Sequence, residues 1–115
     1  MDIGITVDEE KPGVEILKVS GRLDGETFEA AQPVMLEALG RAARGIIMNL
    51  EGLTFISSAG LRVMLTVGKK ALSDGKGVAL VRVQPPIYKI FKIACLDRVF
   101  HFYDDEGAAF REVAP

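Results

Sequence analysis

LEGLTFISSAGLRVML, residues 50–65, is the stretch that decides how this chain folds. The residues leading into it, 45–50, form a near-continuous apolar run (Ile46, Ile47, Met48, Leu50). Such a run reads as a strand buried on both faces, in a sheet covered by helices. A short loop follows, held by Leu53, Phe55 and Ile56, and it ends in two serines. From Ser58 the pattern changes to helical spacing. Leu61, Met64, Leu65, Gly68, Ala71 and Leu72 fall on one face, with Arg62, Thr66, Lys69, Lys70 and Ser73 on the other. Val63 lies at the margin. This spacing predicts a helix over 58–73, stopped by DGKG at 74–77. A serine at a strand-to-helix turn meets the unpaired N–H groups and partial positive charge of the helix start. Either Ser57 or Ser58 can cap the helix, and one cap suffices. The position suits a small charge, such as a phosphate, that is added and removed. Ser58 is the expected switch.

Outward from that centre, strands and helices alternate. Ile3, Ile5 and Val7 predict a short edge strand, EEKPG (9–13) a turn, and 14–19 a second strand. Asp24, Gly25 and Thr27 are helix-start signals. Phe28, Ala31, Met35, Ala38 and Leu39 then recur at helical spacing to about residue 42. Pro33 interrupts that pattern, so a loose first turn is expected, with regular helix from about Ala30 or a kink. Residues 78–83 predict a strand. Pro85 and Pro86 open a short helix with an apolar face of Ile87, Ile90, Phe91 and Ala94. A strand at 99–103 and a helix capped by Asp104 or Asp105 complete the chain. The order ββαβαβαβα predicts an α/β fold with a mixed, mostly parallel β-sheet and about four helices.

The 115 residues favour a single domain over 1–115. A chain of this length buries roughly two thirds of its unfolded surface, enough for a core without staples, and its hydrophobic share of 49% is ordinary for a soluble globular protein. The net charge of −2 comes without a basic stripe, which argues against nucleic acid or an anionic membrane surface. The single cysteine, Cys95, excludes an internal disulfide. The beginning of the chain has no signal-peptide pattern, and no apolar run is long enough to span a membrane. A cytoplasmic location is expected, with no membrane partner.

Catalytic constellations are thin. The one histidine, His101, lies in a predicted strand with no orienting acid in view. One His and one Cys cannot build a Cys/His zinc site. The Gly-Lys pair at 75–76 follows a helix, whereas a P-loop follows a strand. Asp104, Asp105 and Glu106 read as a helix start rather than a metal site. No metal, cofactor or enzymatic activity is expected, a small nucleotide hydrolase included. Arg62 is different. It sits in the first turn of its helix, where the dipole disfavours a cation, and one turn from Ser58, within reach of a phosphate there.

LEGLTFISSAGLRVML resembles the motif of the STAS family, the anti-sigma factor antagonists and their relatives, in which the pattern is roughly D-L-x-x-[VL]-x-[FY]-[IM]-D-S-[SA]-G-L. GRLD at 21–24, Thr27 and LDRVFHFYDDEGAA near the end extend the likeness to about residues 13–113. The resemblance places the family's phosphorylated serine on Ser58, its glycine on Gly60 and its acidic neighbour on Asp24. Ser57 and Asn49 stand where the family has aspartate. Cys95 stands where relatives often have glycine at a helix end, a strained position for cysteine if φ is positive.

The resemblance implies a cycle. The unmodified protein binds an anti-sigma factor that is also a serine kinase, and so frees a sigma factor. The kinase phosphorylates Ser58 and the complex dissociates. A phosphatase resets the switch. The expected contact surface is the segment 54–59, including Thr54, Ser57, Ser58 and Ala59, then Gly60, Leu61, Arg62 and Val63, with Asp24 and Thr27. The alternative is a STAS interaction subunit of a lipid transport complex or a sensory assembly that is never phosphorylated.

Overall fold

The computed structural model of the chain describes residues 3–113; the extreme ends of the predicted 1–115 domain lie outside the described residues. Strands β1 (Ile3–Lys11) and β2 (Val14–Leu23) form an antiparallel hairpin. Helix α1 (Phe28–Arg41) leads to β3 (Gly45–Ile56), and α2 (Ser58–Ser73) leads to β4 (Gly77–Val81). Helix α3 (Pro85–Ile93) and a 3₁₀ turn (Leu96–Arg98) precede β5 (His101–Tyr103), and α4 (Glu106–Val113) follows. The five strands lie in the order β1-β2-β3-β4-β5, and every pair after the first is parallel. The result is the expected mixed, mostly parallel α/β sheet with four α-helices among the described residues.

Strand alternation divides the core in two. Leu17, Val19, Ile46, Met48, Leu50, Val78 and Leu80 face the side covered by α1, α2 and α3. Val14, Ile16, Ile47, Ala79 and Val81 face the other side, where Ala109 and Val113 of α4 cover them. Three right-handed crossovers running the same way along a sheet put their helices on one face, which accounts for this asymmetry. Buried Glu15 points to the three-helix side and takes a two-pronged bond from Arg41, with Nε at 2.9 Å and Nη2 at 2.8 Å. This charge-assisted pair fastens the last turn of α1 to β2.

Several expected boundaries shift, each for a physical reason. The first strand runs on through Glu9 and Glu10 to Lys11, because both keep pairing with β2, and the turn shrinks to Pro12 and Gly13 (φ 79). β3 does not end at Leu50. It outlasts its pairing with β4, which stops at Asn49, by following β2 as far as Leu23↔Ile56. Two register shifts lie on that stretch, between Lys18 and Ser20 and between Gly21 and Arg22, each giving β3 one residue more than β2. The expected loop is therefore a bulged strand. Helix α1 is regular from Phe28, with Pro33 inside it. The N–H that Pro33 lacks would have met the carbonyl of Glu29, and both residues lie on the exposed face.

The face of α2 is rotated from the one expected. Gly60, Val63, Met64, Val67, Gly68 and Ala71 are buried, while Leu72 is 82% exposed. β4 stops at Val81, where Arg82 turns to φ 55. The last strand shortens to His101–Tyr103, because a 3₁₀ turn occupies 96–98. Ala94 is exposed just past the end of α3 rather than on its apolar face. Asp105 takes the capping role at α4, its Oδ1 accepting the Ala108 N–H at 2.8 Å.

Cys95 is left-handed, with φ 62 and ψ 20, at the exit from α3. A residue with a Cβ is strained there by about 1–2 kcal/mol, offset in part by the greater freedom glycine has when unfolded. Cys95→Gly is therefore expected to stabilise the fold by about 0.5–1 kcal/mol, a rise in Tm of roughly 3 °C by differential scanning calorimetry.

Candidate switch surface at the start of α2

The site lies where β2 and β3 run out side by side. Leu23 pairs with Ile56, and the next residue of each chain enters the site. The Leu23 carbonyl accepts the N–H of Ser57 at 3.0 Å. A Cβ at position 60 would collide with that same carbonyl oxygen and come within 2.7 Å of Ile56 Cγ1. Only glycine lets the first turn of α2 settle so closely on the end of β2. Gly60, expected on the contact surface, is buried and serves this packing instead.

The two serines divide their work. Ser57 is the N-cap: its backbone is extended (φ −100, ψ −179), and its hydroxyl accepts the Gly60 N–H in a long bond of 3.4 Å. Its carbonyl accepts the N–H of Leu61 at 2.9 Å. Ser58 is thereby the first helical residue. Its side chain is exposed, and its hydroxyl makes no hydrogen bond among the described residues. The first turn of α2 carries no acidic side chain. Arg62, one turn on, is exposed and pairs with no carboxylate among the described residues. The Ser58 hydroxyl thus stands at the helix-start N–H groups with Arg62 one turn on, both favourable to an added anion.

Asp24 opens the neighbouring connection. Its Oδ1 accepts the Glu26 N–H at 2.9 Å, and its Oδ2 lies 3.4 Å from Arg22 Nε. The Glu26 N–H holds the Asp24 carboxyl below the usual carboxylate range; desolvation opposes this, while the Thr27 hydroxyl and Arg22 reinforce it. The residue that follows Leu23, whose carbonyl holds the Ser57 N–H, is therefore negatively charged at neutral pH. Arg22 also lies over the ring of Phe55, 4.1 Å from its centroid. Phe55, expected to anchor a loop, is 37% exposed; Leu53 and Ile56 are the buried anchors. Thr54 is exposed, with its hydroxyl donating to the Gly21 carbonyl at 3.1 Å.

Asp24, Thr54, Ser57, Ser58, Ala59, Leu61 and Arg62 all have exposed or half-exposed side chains at this end of the sheet. Two further expected contact residues do not. Val63 is 1% exposed and belongs to the core beneath α1 and α2, because the buried stripe of α2 passes through 60, 63, 64, 67 and 71. Thr27 is 2% exposed. Its hydroxyl donates to the Arg22 carbonyl at 2.8 Å and accepts the Asp24 N–H at 2.9 Å, so it locks the β2–α1 connection. Arg22 and Phe55, missed by sequence reasoning, face each other across a bulged register that neither segment reveals alone. Phe28, Gln32 and Thr66 were also missed. They join Ala59, Arg62 and Val63 around a cavity of about 210 Å³ between α1 and α2. His101 is exposed, and no metal-ligating cluster occurs among the described residues. No helix among them is long and apolar enough to cross a membrane.

Comparison with known proteins identifies relatives of the chain and of its fold. The chain is 32% identical over 102 residues to an anti-sigma F factor antagonist of Paenibacillus polymyxa, covering 88% of this chain and 87% of that one. It shares its fold with an anti-sigma factor antagonist from Mycobacterium paratuberculosis, with a TM-score of 0.84 and 23% identity over 98% of this chain and 95% of the other. It likewise shares its fold with the unphosphorylated anti-sigma factor antagonist SpoIIAA, with a TM-score of 0.77 and 21% identity over 94% and 95%. SpoIIAA of Bacillus in its phosphorylated form matches at a TM-score of 0.71 and 21% identity, over 94% and 98%. The STAS domain model matches residues 6–109, and the chain belongs to the STAS domain family.

Proposed function

We propose that this chain is an anti-sigma factor antagonist. Its unmodified form binds an anti-sigma factor serine kinase, which frees a sigma factor; phosphorylation of Ser58 ends the complex, and a phosphatase restores it. The protein is then a cytoplasmic substrate and binding partner rather than an enzyme. One observation carries this reading: Ser57 takes the capping role, so the Ser58 hydroxyl is exposed and uncommitted at the start of a helix. The relative from Paenibacillus polymyxa bears the antagonist's name, and SpoIIAA exists in both phosphorylated and unphosphorylated forms. Asp24 supplies a carboxylate at the site, where Ser57 replaces the aspartate of the family motif.

The energetics suit a switch that acts on binding. A phosphoserine adds about −1.5 to −2 charge. On the free protein the helix start favours that charge by about 0.3–1 kcal/mol, too little to remodel the fold. Against a docked partner the dianion loses water, at a cost of several kcal/mol unless it is paired. A loss of about 3 kcal/mol weakens binding more than a hundredfold. The contact surface comprises Asp24, Thr54, Ser57, Ser58, Ala59, Leu61 and Arg62. Thr27, Gly60 and Val63 hold it in place from within.

Two measurements test this. Ser58→Asp is expected to abolish binding of the kinase while moving Tm by less than about 2 °C. Incubation with that kinase and ATP, followed by peptide mass mapping, should place the label on Ser58; label on Ser57 or Thr54 would overturn the assignment, and no label would favour an unphosphorylated interaction subunit. The division between the serines has its own signature. Ser57→Ala should cost about 1 kcal/mol as a lost cap, whereas Ser58→Ala should leave Tm nearly unchanged.

A further inference from the structure

We infer that the cavity between the first turns of α1 and α2 receives one apolar side chain of the anti-sigma factor. We further infer that Arg62 at its rim pairs with a carboxylate beside that side chain. Phosphate on Ser58 and the partner's carboxylate then compete for one guanidinium. This rests on the antagonist reading above and adds to it a docking pocket, the chemistry of its occupant and a second route to release.

The cavity is about 210 Å³ and adjoins Ser58 through Ala59. Its apolar lining comes from Phe28 of α1 and Val63 of α2, and its walls include Gln32 and Thr66. An apolar cavity of about 150 Å³ holds a benzene-sized molecule, so this one has room for a leucine or phenylalanine side chain. Charge decides what accompanies that side chain. Arg62 is exposed at the rim of this cavity and has no carboxylate partner among the described residues. An unpaired cation on the lip of an apolar cavity complements an apolar residue flanked by Asp or Glu. It does not complement a second Arg62 from another copy of this chain.

The same cation lies one helical turn from Ser58, the spacing at which side chains meet. A phosphate there makes short, charge-assisted bonds to a guanidinium. Modification of Ser58 therefore takes from the partner its ion pair, in addition to placing a dianion in the interface.

The test measures affinity for the purified anti-sigma factor kinase of the source organism by titration calorimetry. Thr66 is exposed, so Thr66→Trp fills the cavity from its rim; Gln32→Trp fills it from α1 and serves if the first variant does not fold. Each is expected to weaken binding at least about thirtyfold with Tm preserved, and Arg62→Ala about tenfold. In the phosphorylated protein, Arg62→Ala should raise the second pKa of phosphoserine 58, followed by phosphorus NMR, because the cation that favours the dianion is gone. Folded cavity-filling variants that bind as wild type, while Ser58→Asp does not bind, overturn the inference and leave the antagonist reading standing. An unchanged phosphoserine pKa overturns the competition for Arg62. A free chain that dimerises and becomes monomeric on Thr66→Trp assigns the cavity to self-association and also overturns it. Ser58→Asp binding as wild type removes the antagonist reading, and the inference with it.

Discussion

The surface at the start of α2 depends on one carbonyl. Leu23 ends β2, and its oxygen receives the Ser57 N–H at 3.0 Å while the bare Cα of Gly60 lies against it. This contact sets the angle at which the chain leaves β3, and so decides which serine caps the helix and which faces outward. A side chain at position 60 would push α2 away from the strand ends and change both roles together. The bond runs from backbone to backbone, so its geometry follows from the parallel register of β2 and β3. The sheet and the exposed hydroxyl are consequences of the same pairing.

Around that contact, side-chain hydrogen bonds, one of them from buried Thr27, fasten the neighbouring connection. Thr27 is enclosed, and its single hydroxyl serves both the Arg22 carbonyl and the Asp24 N–H. Asp24 folds back on Glu26. The start of α1 is thereby positioned against the start of α2, and the gap between the two helices becomes a defined space. A segment held this way loses little further freedom when a partner arrives, which lowers the entropic cost of docking.

Much of this was legible in the sequence. The change from a continuous apolar run to helical spacing at Ser58 located β3 and α2, and the strand–helix alternation implied the parallel sheet. The long-range part was not legible. β3 extends to Ile56 only because β2 is there to pair with it, and the two bulges that bring Arg22 over Phe55 exist only in the pair. Val63 looked marginal because the stripe was centred on Leu61, Leu65 and Leu72. In three dimensions α1 packs over Val63 and Val67, which leaves Leu72 in solvent. Thr27 carries a polar name yet is buried, because the demand for a buried hydrogen-bond partner came from the β2–α1 turn rather than from its own helix.

The opposite pole of the sheet is built differently. There Gly13, Arg44 and Gly77 are stitched by main-chain bonds: the Arg44 N–H to the Gly13 carbonyl at 2.8 Å, and the Gly77 N–H to the Arg44 carbonyl at 2.9 Å. Lys76 adds its ammonium to the Leu39 carbonyl at 2.8 Å. This knot is main chain held by glycines, Gly13 at φ 79 and Gly45 at φ 149, where a Cβ would collide with the Gly77 carbonyl, whereas the far pole exposes side chains on a frame already set. Side chains at the far pole can therefore change one at a time without each change having to re-establish the architecture.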